Sequence, residues 1–275
     1  MPELPEVETV VRSLDPVLKQ RRIEAVWTSG FPLHLQRAVD AAALVHALVG
    51  SCIHGVARRG KYLLLDVEGA SPHVVLVHLG MSGRLVVAKA PTLRPPHTHV
   101  ALTLAGGEEL RFIDPRRFGL VKVASTREGF PELAEMGPEP LDELDEERLA
   151  AALVGSRAPL KSFLLDQRKV AGLGNIYVCE ALFEASLHPR KPARSARRHA
   201  GTLLAAIRKV LERGIANRGT TLRDYVDGAG HAGGNQHSLQ VYGRAGEPCV
   251  RCGALIRRRV DAGRSTFFCA GCQKR

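Results

Sequence analysis

From about residue 22 to residue 124 the apolar residues of this chain come in short β-favouring runs, IEAVW, KYLLLDV, HVVLVHL, RLVVA, HVALTLA, ELRFI and GLVKVA, punctuated by Gly, Pro or Ser. Beyond about residue 148 they recur at helical spacing instead, in ERLAAALVG, LKSFLLDQ, NIYVCEALFEA and ARRHAGTLLAAIRKVLERGIAN. One chain that changes its apolar period in this way cannot be a single-class fold. We expect an N-terminal β-sandwich or barrel over 2–124, an acidic, turn-rich linker over 125–147 and a helical domain over 148–238. Residues 239–275 form a separate module too small to hold a core unaided. A helix precedes the strands: Pro5 sits early, Glu6 and Glu8 suit a first turn, and Val7, Val10, Val11 and Leu14 fall on one face.

The small module carries its own staple. Cys249-x-x-Cys252 and Cys269-x-x-Cys272, sixteen residues apart, have the spacing of a two-hairpin ribbon in which four thiolates hold one tetrahedral zinc. Four cysteines close the shell and leave no place for water, so this zinc is structural; the alternative is four unrelated buried cysteines. Cys52 and Cys179 stand isolated. Around the quartet lie Arg251, Arg257, Arg258, Arg259, Arg264, Lys274 and Arg275, with Phe267 and Phe268 among them. Arginines on such a hairpin suit phosphate contact, or else form a solvated basic face.

Charge gives a partner class. Lys and Arg number 39 against 28 Asp and Glu, a net +11, in a chain whose 45% hydrophobic content excludes a disordered or collagen-like polymer. No stretch approaches the roughly 18 apolar residues of a spanning helix, and the start, MPELPEVETV, is acidic and unlike a leader. With no basic amphipathic anchor helix, nucleic acid is favoured over an anionic membrane. We expect a cytoplasmic protein and, with no evident apolar face, a monomer.

The first residues admit two readings. Removal of Met1 would expose Pro2 as a secondary amine; an α-amino group titrates near ~8, whereas lysine at ~10.4 is almost wholly protonated at neutral pH. Such an amine adds to an aldehyde carbon to give an iminium that keeps its charge. Glu3 is adjacent and could shuttle a proton, with Glu6 one helical turn on. The other reading is a plain capping sequence. Further on, the glycines of GLGN at 172–175 join two helices, with Asn175 suited to cap the second and its amides to seat a phosphate. The four glycines of 228–234 lie in a stretch, 228–238, expected to be a mobile loop.

PELPEVE at 2–8, RRGKYLLL at 58–65, HLGMSGRL at 78–85, DPRRFG at 114–119, GLGNIY at 172–177, QVYGRAGEPC at 240–249 and RSTFFC at 264–269, in that order, closely resemble the bacterial formamidopyrimidine-DNA glycosylase family over the whole chain. The resemblance implies an α+β multidomain fold: an N-terminal β-sandwich with flanking helices, a helix–two-turn–helix domain and a C-terminal zinc ribbon hairpin. It implies a repair enzyme, bacterial and nucleoid-associated, that removes 8-oxoguanine and formamidopyrimidines from double-stranded DNA and then cuts at the abasic site by β,δ-elimination. Pro2 would attack C1′, Glu3 protonate the ring oxygen and Glu6 support the amine. Lys61 would contact the phosphate beside the lesion and donate a proton in β-elimination, and Arg264 would serve the second elimination. Met81, Arg116 and Phe118 would fill the gap left by an everted nucleotide, an extrusion that costs a few kcal/mol. His97, Arg116, Arg157, Lys161 and Asn175 would bind DNA, and Gly219–Ser238 would cover the flipped base, though here it is rich in Gly and His and poor in aromatics. Two rivals stay open: the endonuclease VIII-like branch of the same fold, which prefers oxidised pyrimidines, and a non-catalytic zinc-ribbon protein that only binds nucleic acid.

Overall fold

The computed structural model describes residues 1–33, 38–89 and 93–274. The chain forms two compact units, Met1–Glu135 with Asn217–Gly234, and Met136–Ala216 with Asn235–Arg275. No helix among the described residues is long and apolar enough to cross a membrane.

The first unit begins with helix α1 (Leu4–Leu18), started by Pro5 and by a reciprocal capping box between Glu3 and Glu6. Strand β1 (Ile23–Thr28) and helix α2 (Ala41–Leu48) follow. Then come β2 (Cys52–Arg59), β3 (Tyr62–Glu68), β4 (Pro72–His78), β5 (Arg84–Lys89), β6 (Thr98–Leu104), β7 (Glu108–Ile113), β8 (Leu120–Ala124) and the single turn α3 (Pro131–Ala134). The strands make two antiparallel sheets, ordered β1-β6-β7-β5 and β2-β3-β4-β8. This is the expected sandwich with flanking helices. Its core joins Val7, Val10 and Leu14 of α1 and Leu44 and Leu48 of α2 to Leu63, Leu65, Val75, Val77, Val100, Leu102 and Phe112 of the sheets. Strands β3 and β4 read as unbroken apolar runs because both faces are buried: Leu64, Val74 and Leu76 turn to the other side and pack with Phe130.

Register decides what this sandwich can present. Arg59 pairs with Tyr62, Tyr62 with His78, and His78 with Leu120; in the other sheet Arg84 and Thr98 both pair with Ile113. The β2–β3 turn, the β4–β5 turn, the segment before β6 and the loop between β7 and β8 therefore lie at the same end. Lys61, Met81, His97, Arg116 and Phe118, scattered over fifty-odd positions, are gathered there by strand pairing alone.

The second unit contains α4 (Glu146–Val154), capped by Asp145, then α5 (Leu160–Leu165), α6 (Asn175–Glu184), α7 (Ala200–Ala216) and the hairpin β9 (Ile256–Asp261) and β10 (Arg264–Cys269). Helix α6 is buried from Ile176 to Phe183, on every side. One charge lies inside it: Glu180, 2% exposed, accepts the backbone N–H groups of Gln240, Val241 and Tyr242, each at 2.9 Å. Those bonds hold the segment that leads into the cysteine module.

Between the passages through the second unit, residues 217–234 return to the first. The glycine-rich part of this return is bonded rather than slack. Buried Asp227 accepts from the backbone N–H of Ala229 and His231 and from Arg218, Gly228 N donates to Ser13 Oγ, and Gly233 N donates to Thr221 Oγ1. Gly233 sits so close to the Gly219 carbonyl that a Cβ would lie 2.2 Å from it. Glycine here permits close packing, which the expectation of a mobile loop did not anticipate.

Candidate active site

At the head of α1 the Glu3 backbone N–H donates to Glu6 Oε2 (2.8 Å), and Glu6 Oε1 accepts from Thr220 N (2.7 Å). Tyr225 Oη donates to the Glu6 carbonyl at 3.2 Å. Burial, then the Glu6 carboxylate, pushes the Tyr225 phenol far above its ordinary range, so it stays a donor. Pro2 is buried, and Glu3 and Glu6 are 3% and 2% exposed. Both Glu6 oxygens are thus engaged in fixing the first turn and the 217–234 return. Capping and catalytic readings of PELPEVE are not exclusive: the cap is what makes the chain end rigid.

Met1 is half exposed, but its amine lies below its ordinary pKa because burial disfavours the ammonium; Glu3 and Glu6 oppose this, and Lys61 and Arg116 add to it. Removal of Met1 would place the chain's amine on Pro2, in this same surrounding of Glu3, Glu6, Lys61 and Arg116.

Lys61, 7% exposed, stands at the β2–β3 turn, where Gly60 takes a positive φ of 56°. Arg58 holds that turn. Its Nη1 donates to the Gly60 carbonyl (3.1 Å) and its Nε to Glu8 Oε2 (3.0 Å), while Arg12 takes Glu8 Oε1 at 2.7 Å. Helix α1 and the lysine-bearing turn are so locked together through Glu8.

The other two loops at this end share one buried carboxylate. Asp114, 0% exposed, accepts from Ser82 Oγ at 2.6 Å through Oδ1 and from Gly119 N at 2.7 Å through Oδ2, with Arg116 N at 3.3 Å from Oδ1. Its carbonyl accepts Arg117 N, and its own N–H donates to the His97 carbonyl. His97 and Arg117 both have positive φ, 67° and 56°, uncommon for such side chains and tolerated here by the bonds around Asp114. Gly80 lies against the Phe118 backbone, where a Cβ would approach the Phe118 carbonyl carbon to 2.5 Å. The outcome is an exposed pair of apolar side chains, Met81 (43%) and Phe118 (46%), with the Arg116 guanidinium 4.8 Å from the Phe118 ring centre.

In the second unit Lys161 is 3% exposed; its Nζ donates to the Ser265 carbonyl (2.9 Å) and to Thr266 Oγ1 (2.7 Å). Asn175 Nδ2 donates to the same carbonyl at 2.9 Å. Asn175 is not the cap expected of it: Gly174 occupies that position with no side-chain bond, and Asn175, the first helical residue, reaches across to β10 instead. Both residues thus fix the strand that begins with exposed Arg264. Arg157 is exposed.

The four cysteine sulfurs lie within 4.8 Å of one another. Burial opposes ionisation, but backbone N–H groups of Arg251 and Cys252 bring Cys249 down to about 7, while burial and the neighbouring sulfurs push Cys272 up to about 12. Four thiolates so close repel unless a cation joins them, and zinc fits this donor set. Cys249, Cys252, Cys269 and Cys272 would hold one structural zinc, which supplies the hairpin with its cross-link. Not every basic residue nearby faces outward. Arg251 folds back on the end of α6, bonded to the Phe183 carbonyl (3.0 Å) and Glu184 Oε2 (2.7 Å), and Phe267 and Phe268 are core residues. Arg275 lies outside the described residues.

Reading the residues alone did not single out Arg58, Ser82, Asp114 or Glu180. Asp114 was signalled as the one acid in an otherwise basic DPRRFG loop, and Glu180 as a charge flanked by apolar neighbours in NIYVCEALFEA.

A helix-led β-sandwich, a helical unit in which Gly-Leu-Gly leads into α6 and a four-cysteine hairpin define the class with the Fpg-like fold. The chain belongs to the formamidopyrimidine-DNA glycosylase family. Residues 1–121 match the formamidopyrimidine-DNA glycosylase N-terminal domain, 136–226 its H2TH domain and 246–275 the zinc finger found in FPG and IleRS. Similar proteins include the formamidopyrimidine-DNA glycosylases of Moorella thermoacetica, 50% identical over 94% of each chain, and of Desulforamulus reducens, 46% identical over 100% of this chain and 99% of the other. Among solved structures, wild-type Lactococcus lactis Fpg in complex with an N7-benzyl-Fapy-dG DNA has a TM-score of 0.89 at 36% identity over 100% of both chains. The same organism's Fpg with abasic-site DNA has a TM-score of 0.88 at 35% identity, covering 99% of this chain and 100% of that one.

Proposed function

We propose that this chain is a base-excision-repair glycosylase that removes oxidised purines from double-stranded DNA and cleaves the resulting abasic site as a lyase. The observation that carries the reading is the seat of the chain end: a first turn clamped through both Glu6 oxygens, with Pro2 and Glu3 buried at its head. With Met1 removed, the Pro2 nitrogen bonds to C1′ as the damaged base leaves with the glycosidic electron pair. The departing base takes up the proton that the Pro2 nitrogen sheds, and Glu3 then protonates O4′ as the C1′–O4′ bond opens and the nitrogen lone pair forms the iminium. Loss of a C2′ proton expels the 3′ phosphate, with Lys61 as proton donor, and a second elimination assigned to Arg264 expels the 5′ phosphate. Glu6 supports the amine by fixing the turn that carries it.

Met81, Arg116 and Phe118 suit the wedge, since two apolar side chains and a guanidinium can occupy the gap of an everted nucleotide. His97, Arg157, Lys161 and Asn175 are assigned to DNA, the two last also through the strand they brace. The enzyme acts as a monomer in the cytoplasm, on the nucleoid, with no membrane association. Incubation with duplexes carrying 8-oxoguanine, a formamidopyrimidine or an oxidised pyrimidine tests this directly. Excision of the purine lesions with strand cleavage is expected; preference for the pyrimidine would favour the endonuclease VIII-like branch, and binding without excision a mere clamp.

A further inference from the structure

The segment between α6 and α7 is the most basic stretch of the second unit. Residues 190–199, RKPARSARRH, contain five Lys or Arg and no acid. From Ala193 to His199 they form 3₁₀ helix, whose side chains eclipse every third residue. Ala193 and Ala196 are buried, so the period places Arg194 and Arg197 in one exposed row with Arg198 beside them. Backbone pairing fixes the row: Ala193 N donates to the Ala158 carbonyl and Arg194 N to the Ser156 carbonyl, which sets exposed Arg157 against it, while Leu160 N and Lys161 N bond the carbonyls of Lys191 and Pro189. At the other end Arg190 lies 3.8 Å from Asp261 at the hairpin tip, and His188 packs edge-on against Phe268 of β10. Among the described residues no carboxylate pairs with Arg157, Arg194, Arg197 or Arg198. Glu146 lies against Gly201, beyond the segment's end.

We infer that Arg157, Arg194, Arg197 and Arg198 form a phosphate-binding track that extends the second unit's hold on duplex DNA, continuous with the Lys161–Ser265 brace. The proposal rests on the reading that the chain binds duplex DNA. Seven residues of 3₁₀ helix at about 2 Å each span about 14 Å, the axial length of about four phosphates of one strand. A row of that length without acids fits a sequence-independent contact: it adds affinity for undamaged DNA, where a repair enzyme spends its search, and leaves the chemistry alone.

The test compares the zinc-loaded full chain with the triple variant Arg194→Gln, Arg197→Gln, Arg198→Gln, by anisotropy on an undamaged duplex across a salt series. Three lost phosphate contacts should lower the slope of log K against log salt by about 2 to 3. The matching triple Arg→Lys variant, which keeps the charge, should restore most of it. Borohydride trapping on saturating lesion duplex should run at the wild-type rate in both variants. An unchanged slope in the Gln variant would make the row a solvated face and overturn the track, as would an equal loss in the Lys variant, which would indicate perturbed packing. Failure of the wild-type chain to trap any lesion would strike the glycosylase reading instead, because the salt series reads binding without chemistry.

Discussion

Replacing Asp114 would separate building the proposed wedge from doing the chemistry. Its carboxylate is fully buried and accepts two short bonds, from Ser82 Oγ and Gly119 N, that tie the Met81 turn to the Phe118 loop. Bonds to a charged group contribute about 1.5–3 kcal/mol each, so Asp114→Ala, which also orphans the Gly119 N–H, should cost about 3–5 kcal/mol out of a total of about 5–15. Asp114→Asn is milder. Its oxygen can serve Gly119 while Ser82 turns to accept from the amide, so two bonds survive as neutral ones at a loss of about 1–2 kcal/mol. The variant should therefore fold, with a lowered melting temperature, but hold its two loops less firmly. The assay pairs an 8-oxoguanine duplex, which demands eversion, with a single-stranded abasic oligonucleotide, which does not. Asp114→Asn should slow duplex excision by tenfold or more, at about 1.4 kcal/mol per decade, and leave single-strand trapping within about twofold. Equal slowing on both substrates, or none on the duplex, would refute the assignment of Asp114 to the wedge.

Other outcomes follow from the same geometry. Trapping should rise with pH to a plateau, because only the free base of the Pro2 nitrogen attacks, and Lys61 and Arg116, whose charges depress the amine at this chain end, should lower its midpoint. Lys61→Gln removes a charge that lowers that value, and so should move the midpoint to higher pH; a midpoint that does not move would separate Lys61 from the amine. Burial would raise Glu8, but bonds from Arg12 and Arg58 outweigh it and hold the carboxyl below its ordinary range. Its contribution to stability is present above the unfolded value of about 4.3 and lost as pH falls through the folded one, so Glu8→Gln should flatten the acid limb of a melting-temperature profile. Metal analysis should find one zinc per chain, and its removal should abolish DNA binding, since structural zinc contributes an apparent ~10–16 kcal/mol in small modules and the hairpin carries the acceptors of Lys161 and Asn175.

The sandwich and the cysteine hairpin were legible in the sequence because local rules set them: alternating apolar runs, punctuating turns and paired Cys-x-x-Cys spacing. Strand β2 escaped, since His54, the bulge at Gly55 and the pair Arg58–Arg59 break its alternation. The return of 217–234 to the first unit also escaped, for it places little more than Tyr225 in the core and is held by backbone bonds that no apolar pattern records. Candidate site residues could be listed from motifs, but their work could not. Lys161 reads as a surface lysine of a short helix; only a hairpin a hundred residues later gives it neutral acceptors and a buried place. Asn175 left its expected cap for the same strand. Asp114 and Arg58 act on backbone atoms of other loops, and such partners are set by register rather than by neighbouring sequence.

The proposed chemistry turns on the first nitrogen of the processed chain. Reduction of the complex with abasic duplex, followed by proteolysis and tandem mass spectrometry, locates the covalent link. We predict that the deoxyribose remnant is carried by the peptide that starts at Pro2, on its amine, with Met1 absent. A link to Lys61 or another lysine, or a reduced complex whose N-terminal peptide still begins with Met1, would contradict it.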